Sequence, residues 1–193
     1  MEPGQAGRLV AMAGETKLKL LFGGKAKQVA VNRVTVSVAP TSLHPLPVDV
    51  RVFEEDTHLV LTVDPVMRFT EEHPIRLLNS LSQGKSKRPG SVVINGSSWY
   101  AVVHNLDVEP TSRPDWIKTA YREIFRQAEV RRVRRIAVPL LGSVHGNMKP
   151  SESLGMMLEE IAAARFLLLR NIIILAAPAQ VKTIKARLFR SVQ

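Results

Sequence analysis

The alternation of apolar and polar positions changes twice along the chain, and each change marks a different kind of structure. Residues 1–15 are small and weakly patterned, as in a loose tail. From Lys17 the period is two: Lys17-Leu18-Lys19-Leu20 alternates, and Val29, Val31, Val34, Val36 and Val38 follow at strand spacing. The phase slips at Asn32-Arg33, which predicts a turn or bulge. Residues 16–47 therefore read as a β-hairpin or meander, ending in a proline-rich connector from Ala39 to Pro47.

From Val48 the pattern mixes two periods. Val48–Phe53 and His58–Val63 read as strands, and Pro74 to Leu81 as a short helix with Ile75, Leu78 and Leu81 on one face. Ser91–Ile94 and Trp99–Val103 flank Asn95-Gly96, a strong hairpin signal. Helical spacing of Ile117, Ala120, Tyr121, Ile124, Phe125 and Ala128 predicts a helix from Pro114 to Val130. The apolar run Ile136–Leu141 reads as a strand. A helix begins near Pro150, with Leu154, Met157, Leu158, Ile161 and Ala162 inward. Asn171–Ala176 has the near-continuous apolar character of a buried parallel strand, and Val181–Arg190 closes the chain as a helix. Helix alternating with strand argues an α/β layered fold, assigned to residues 48–193 with the basic β segment as an appendage.

Charge adds a second theme. The 193 residues carry a net charge of +10, with an isoelectric point near 10.4. No acidic residue lies between Glu15 and Asp49. Arg131, Arg132, Arg134 and Arg135 form the densest basic cluster, and Lys85, Lys87 and Arg88 a second. These residues are candidates for contact with nucleic-acid phosphates; a solvated basic surface explains them equally well. The arginines precede the strand Ile136–Leu141, so they sit at the opposite end of it from whatever follows Leu141.

Other chemistries drop out. There is no cysteine, hence no disulfide, thiol nucleophile or cysteine-ligated zinc. The five histidines lack ligand spacing, so no metal site and no cofactor is expected. No nucleophile elbow or Walker lysine is present. No apolar run is long enough to span a bilayer, so a cytoplasmic protein without a membrane partner is expected. Oligomeric state is not legible.

One constellation remains. After Ile136–Leu141 comes Gly142-Ser143-Val144-His145-Gly146-Asn147, and then a helix start at Pro150-Ser151. Strand, glycine loop and helix is the order in which α/β proteins offer backbone N–H groups to an anion. The same glycines also suit a tight turn with no ligand at all.

Three segments together resemble a macro domain, the α/β module known for binding ADP-ribose. Gly90 to Asp107 is similar to the family's central hairpin, with His104 where its second strand carries a histidine. Ile136 to Pro150 is similar to its diphosphate loop. Glu55-Asp56-Thr57 followed by Val63-Asp64-Pro65-Val66 resembles its first strand pair, in which an aspartate recognises adenine. The resemblance implies a three-layer α/β/α fold with a mixed sheet, and a ligand site at Gly142, Ser143, Val144, His145, Gly146, Asn147 and Asp56. Asp56 reads equally as a turn residue. Met67–Glu72 stands where the Asn-Ala-Ala-Asn signature is due, the glycine-rich first loop is missing, and the second loop is one glycine short. The resemblance therefore implies the fold without ADP-ribosyl hydrolysis and assigns no catalytic residue. Three functions follow: a non-catalytic module for ADP-ribose or a related nucleotide, an RNA- or DNA-binding protein on a macro-like scaffold, and a structural or assembly domain.

Overall fold

The structure, a computed structural model, describes residues 19–21, 28–62 and 86–191. The helix read at Pro74–Leu81, the segment Val63–Val66, Lys85 and the N-terminal tail lie outside the described residues.

Eight strands form one sheet: β1 (Lys19–Leu21), β2 (Gln28–Val31), β3 (Val34–Pro40), β4 (Val50–Asp56), β5 (Val92–Asn95), β6 (Ser98–His104), β7 (Arg135–Pro139) and β8 (Asn171–Ala176). Their order is β1-β2-β3-β8-β7-β4-β6-β5. The edges β1-β2-β3 and β6-β5 are antiparallel, while β3, β8, β7, β4 and β6 run parallel through the centre. Parallel central strands buried on both faces explain the continuous apolar runs at 136–140 and 172–176.

The sheet crosses the division read at residue 47. β3 pairs with β8 from Thr35↔Asn171 to Pro40↔Ala176, and Val29, Val31, Val34, Val36 and Val38 are buried in the main core. Their alternation fills one face of a shared sheet, so β2 and β3 are built into it. The predicted turn at Asn32-Arg33 is a two-residue hairpin with both φ angles positive (45° and 70°), the type I′ geometry that matches strand twist. The hairpin at 95–98 has Gly96 at φ +54°.

Three helices are described: α1 (Pro114–Val130), α2 (Pro150–Ala163) and α3 (Val181–Arg190). Proline opens α1 and α2, where its missing N–H costs nothing. They pack in a row: α1 lies on β5 and β6 and against α2, and α3 lies against α2 and β3. α1 buries Ile117, Ala120, Tyr121, Ile124, Phe125 and Ala128, as the spacing predicts. Ile117, Ile124 and Phe125 alone contribute about 5–9 kcal/mol of gross transfer free energy. α2 departs from expectation. Ala162 is exposed, while Ser153 and Glu160 are buried, each held by a polar partner from α1: the Tyr121 hydroxyl at 2.7 Å and the Arg122 guanidinium at 2.8 and 3.0 Å.

Two strand readings change. The strand from Val48 extends three residues beyond Phe53, to Asp56. Over the described part of the strand read at His58–Val63 no strand forms; residues 57–62 turn instead. The cause is two carboxylates. Asp56 accepts the N–H groups of His58 and Val60, and Glu55 accepts those of Asp56, Leu61 and Thr62 together with the Thr62 hydroxyl. Donors bound to side chains in this way are lost to a sheet ladder.

Candidate functional site at the carboxyl ends of the parallel strands

The glycine loop leaves β7 at its carboxyl end, the position where open α/β sheets bind ligands. Its conformation is set from inside by two buried side chains. Tyr121 of α1 accepts the N–H of Leu141 at 2.7 Å, and burial pushes its hydroxyl well above the ordinary tyrosine range. Glu54 of β4 accepts the N–H of Gly142 at 2.8 Å and that of His145 at 3.0 Å. His104 Nε2 completes the carboxyl group at 2.5 Å from Glu54 Oε1. Glu54 and His104 are 2% and 1% exposed.

This arrangement divides the loop into two sets of amides. Gly142 and His145 donate inward to Glu54, and Ser143 donates to the Leu140 carbonyl at 3.1 Å while its hydroxyl does the same at 2.6 Å. The N–H groups of Val144, Gly146 and Asn147 meet no acceptor among the described residues. Val144 is 52% exposed, and His145 and Asn147 are exposed with it. An incoming anion can therefore reach only the outer set.

The glycines are required by geometry. Gly142 has φ +79°, and a Cβ there would stand 2.4 Å from Ile117 Cδ1. A Cβ on Gly146 would stand 2.6 Å from the Gly142 carbonyl oxygen and 3.0 Å from His104 Cε1. These contacts alone account for both residues, whatever the loop binds.

The remaining predicted site residues separate. Asp56 lies at the same end of the sheet, next to β6, but it is fully buried and its carboxylate is taken by the 58–60 turn. The exposed Lys87 and Arg88 are at this end too: the Lys87 N–H donates to the carbonyl of Thr57, just past β4, at 2.7 Å. Arg131, Arg132, Arg134 and Arg135 are at the other end, where β7 begins. There Asp49 accepts the N–H groups of Arg134 and Arg135 at 2.9 Å and pairs with the Arg135 guanidinium at 3.3 Å. Partial burial raises the Asp49 pKa, but these bonds outweigh it and hold the carboxyl below the usual carboxylate range. The His145 ring has no orienting partner among the described residues; its backbone N–H is the group that is held, by Glu54.

Glu54 is not singled out by sequence, and Tyr121 reads only as a core position of its helix. Glu54 had a signal: it falls in phase with Val50 and Val52, an acid on the core face of a strand. Such a residue must be bonded, because an unpartnered buried carboxylate is costly.

No family model matches the sequence, and no curated protein does. Solved structures do match. A mutant of the Oceanobacillus iheyensis macrodomain with ADPR aligns at TM-score 0.65 and 13% identity, over 86% of this chain and 97% of that one. The same macrodomain with ADP aligns at 0.65 and 12% identity, over 92% and 98%. The macro domain of ganglioside induced differentiation associated protein 2 aligns at 0.58 and 13% identity, over 79% and 82%. The chain has the macro-domain fold, in a divergent sequence.

Proposed function

We propose that the chain is a non-catalytic module that binds ADP-ribose or a related phosphorylated nucleotide at the carboxyl ends of its parallel strands. The observation that carries this reading is the split of the loop. Glu54 and Tyr121 fix it from within, leaving the N–H groups of Val144, Gly146 and Asn147 for a ligand. A pre-formed set of backbone donors is the usual means of holding a diphosphate. Lys87 and Arg88 add positive charge at the same end. Macrodomains of the same fold were solved with ADPR and with ADP, which supports the ligand class. The absence of catalysis rests on the engaged state of the carboxylates: Glu54, Glu55 and Asp56 are each committed to backbone N–H groups.

Calorimetry with ADP-ribose on the full chain tests it. Val144→Glu places a carboxylate on the exposed side of the loop without touching the buried set. Saturable binding that weakens at least about tenfold in this variant, about 1.4 kcal/mol, is expected. No saturable heat with the parent protein, or a variant that binds as the parent does, would refute the reading.

A further inference from the structure

The amino end of the sheet carries a feature that the nucleotide site does not use. Three adjacent parallel strands begin there in register, with Thr35 opposite Asn171 and Arg135 opposite Asn171. An arginine stands just before each start: Arg33 before β3, Arg170 before β8 and Arg134 before β7. The Arg170 N–H donates to the Arg134 carbonyl at 2.9 Å, and the Thr35 N–H to the Arg170 carbonyl at 2.8 Å, so the three backbones are neighbours. Arg131 and Arg132 follow α1 at this end. Arg165 follows α2, where the Asn32 side chain donates to the carbonyls of Ile161 and Ala162. All six arginines are exposed, and among the described residues none of their guanidinium groups pairs with an acidic side chain, Arg131 donating to Gln127 at 3.2 Å. The acids nearby are already engaged: Asp49 by Arg134 and Arg135, Glu160 by Arg122. No acidic residue follows Glu160 in the chain.

Between Arg165 and Arg170, and next to Arg131, the chain also exposes apolar side chains. Val130 is 66% exposed, Leu167 56% and Leu168 37%. The leucines are held in that position by Glu129. Its carboxylate accepts three consecutive N–H groups, those of Leu167, Leu168 and Leu169, at 2.9–3.1 Å. Leu169 turns inward and is fully buried, while its two predecessors face solvent. A carboxylate that fixes a loop presenting leucines, with neighbouring arginines that meet no acidic partner among the described residues, suits a surface both anionic and apolar.

We infer that this face docks on a membrane surface containing anionic phospholipid. Guanidinium groups match lipid phosphates, each cation near such a surface strengthening binding about fivefold, and the leucines reach the acyl boundary. A nucleic-acid backbone would satisfy the arginines and leave the leucines in water, and no exposed aromatic ring is described here to stack on a base. The lack of a membrane-spanning helix among the described residues has no bearing on peripheral contact. The nucleotide loop, at the other end of the strands, stays open to solution when this face is occupied.

The test is co-sedimentation of the full chain with phosphatidylcholine vesicles, with and without phosphatidylserine. Binding only to the serine-containing vesicles is expected. The pair Arg134→Glu with Arg170→Glu weakens it about 25-fold or more, and Leu167→Ser with Leu168→Ser about tenfold. Thermal melts establish that each variant is folded, and Val130→Ser serves as a third probe should the leucine pair fail to fold. Absence of sedimentation, or leucine variants that bind like the parent, overturns the proposal. So does a fluorescein-labelled single-stranded RNA that binds the chain and displaces it from the vesicles with no effect of the leucine substitutions.

Discussion

Replacing Glu54 by alanine is the sharpest test of how the loop is built. In the folded chain three donors converge on this one carboxyl group: the N–H of Gly142, the N–H of His145 and Nε2 of His104, at 2.8, 3.0 and 2.5 Å. Alanine leaves all three without an acceptor, in a site where Glu54 and His104 are shielded from water. Each stranded buried donor costs about 1–3 kcal/mol. The His145 residue is exposed, and its N–H can recover a water, so the low end applies to it. The terms sum to about 3–7 kcal/mol, and the part of that range expected here is about 3–5 kcal/mol, the loss when a buried charged pair is deprived of one partner. For a chain of this size, at about 2–4 °C per kcal/mol, that lowers Tm by about 6–20 °C. Glu54→Gln keeps one oxygen but aims an amide N–H at a donor, so it should fall between parent and alanine. Thermal and urea melts give the stability, and amide exchange at Gly142 and His145 gives the location. An alanine variant within about 0.5 kcal/mol of the parent, with exchange at those two amides unchanged, would show that the carboxyl does not hold the loop.

Other consequences are simpler. Gly142→Ala puts a Cβ 2.4 Å from Ile117 Cδ1 at φ +79°, and should cost about 2 kcal/mol or more by urea melt. Ile117→Val in the same chain should recover part of the loss if the clash is its cause. Tyr121→Phe strands the Leu141 N–H and the Ser153 hydroxyl in the core, with an expected loss of about 1–3 kcal/mol in the same assay. Asp49 has a depressed pKa in the folded chain, so its contribution to stability is complete above the unfolded value near 3.9 and disappears as pH falls below it. Tm measured from pH 7 downward should therefore hold its Asp49 contribution to about pH 4 and lose it below, and Asp49→Asn should flatten that acid limb while lowering Tm at neutral pH.

Much of the fold is written in local pattern. α1 and α3 begin and end where their sequence periods do, because one apolar face at 3.6-residue spacing leaves little choice. β8 is legible because a strand covered on both faces is apolar throughout. Strand partners are another matter. Nothing local in Val34–Pro40 says that it pairs parallel with a strand more than a hundred residues away, so its alternation reads as a free hairpin. His58–Val63 has the apolar content of a strand but loses its backbone donors to Glu55 and Asp56, a competition decided by side chains whose reach depends on the turn itself.

The loop was visible as a loop, but which of its amides a ligand can reach was not. Strand, glycines and helix start fix its place at the carboxyl ends of the strands. They do not reveal that an acid 88 residues upstream, on β4, sits behind it. That acid changes the electrostatics of the site. The Gly142 and His145 N–H dipoles point at Glu54, so their positive ends neutralise a carboxylate of the chain itself and add little to the attraction for a phosphate. On the proposed function, attraction for a phosphate falls to the N–H groups of Val144, Gly146 and Asn147 and to the charge of Lys87 and Arg88. A weakly charged loop held from within by Glu54 and Tyr121 fits the proposed module, with the excess arginine charge kept at the opposite end of the same strands.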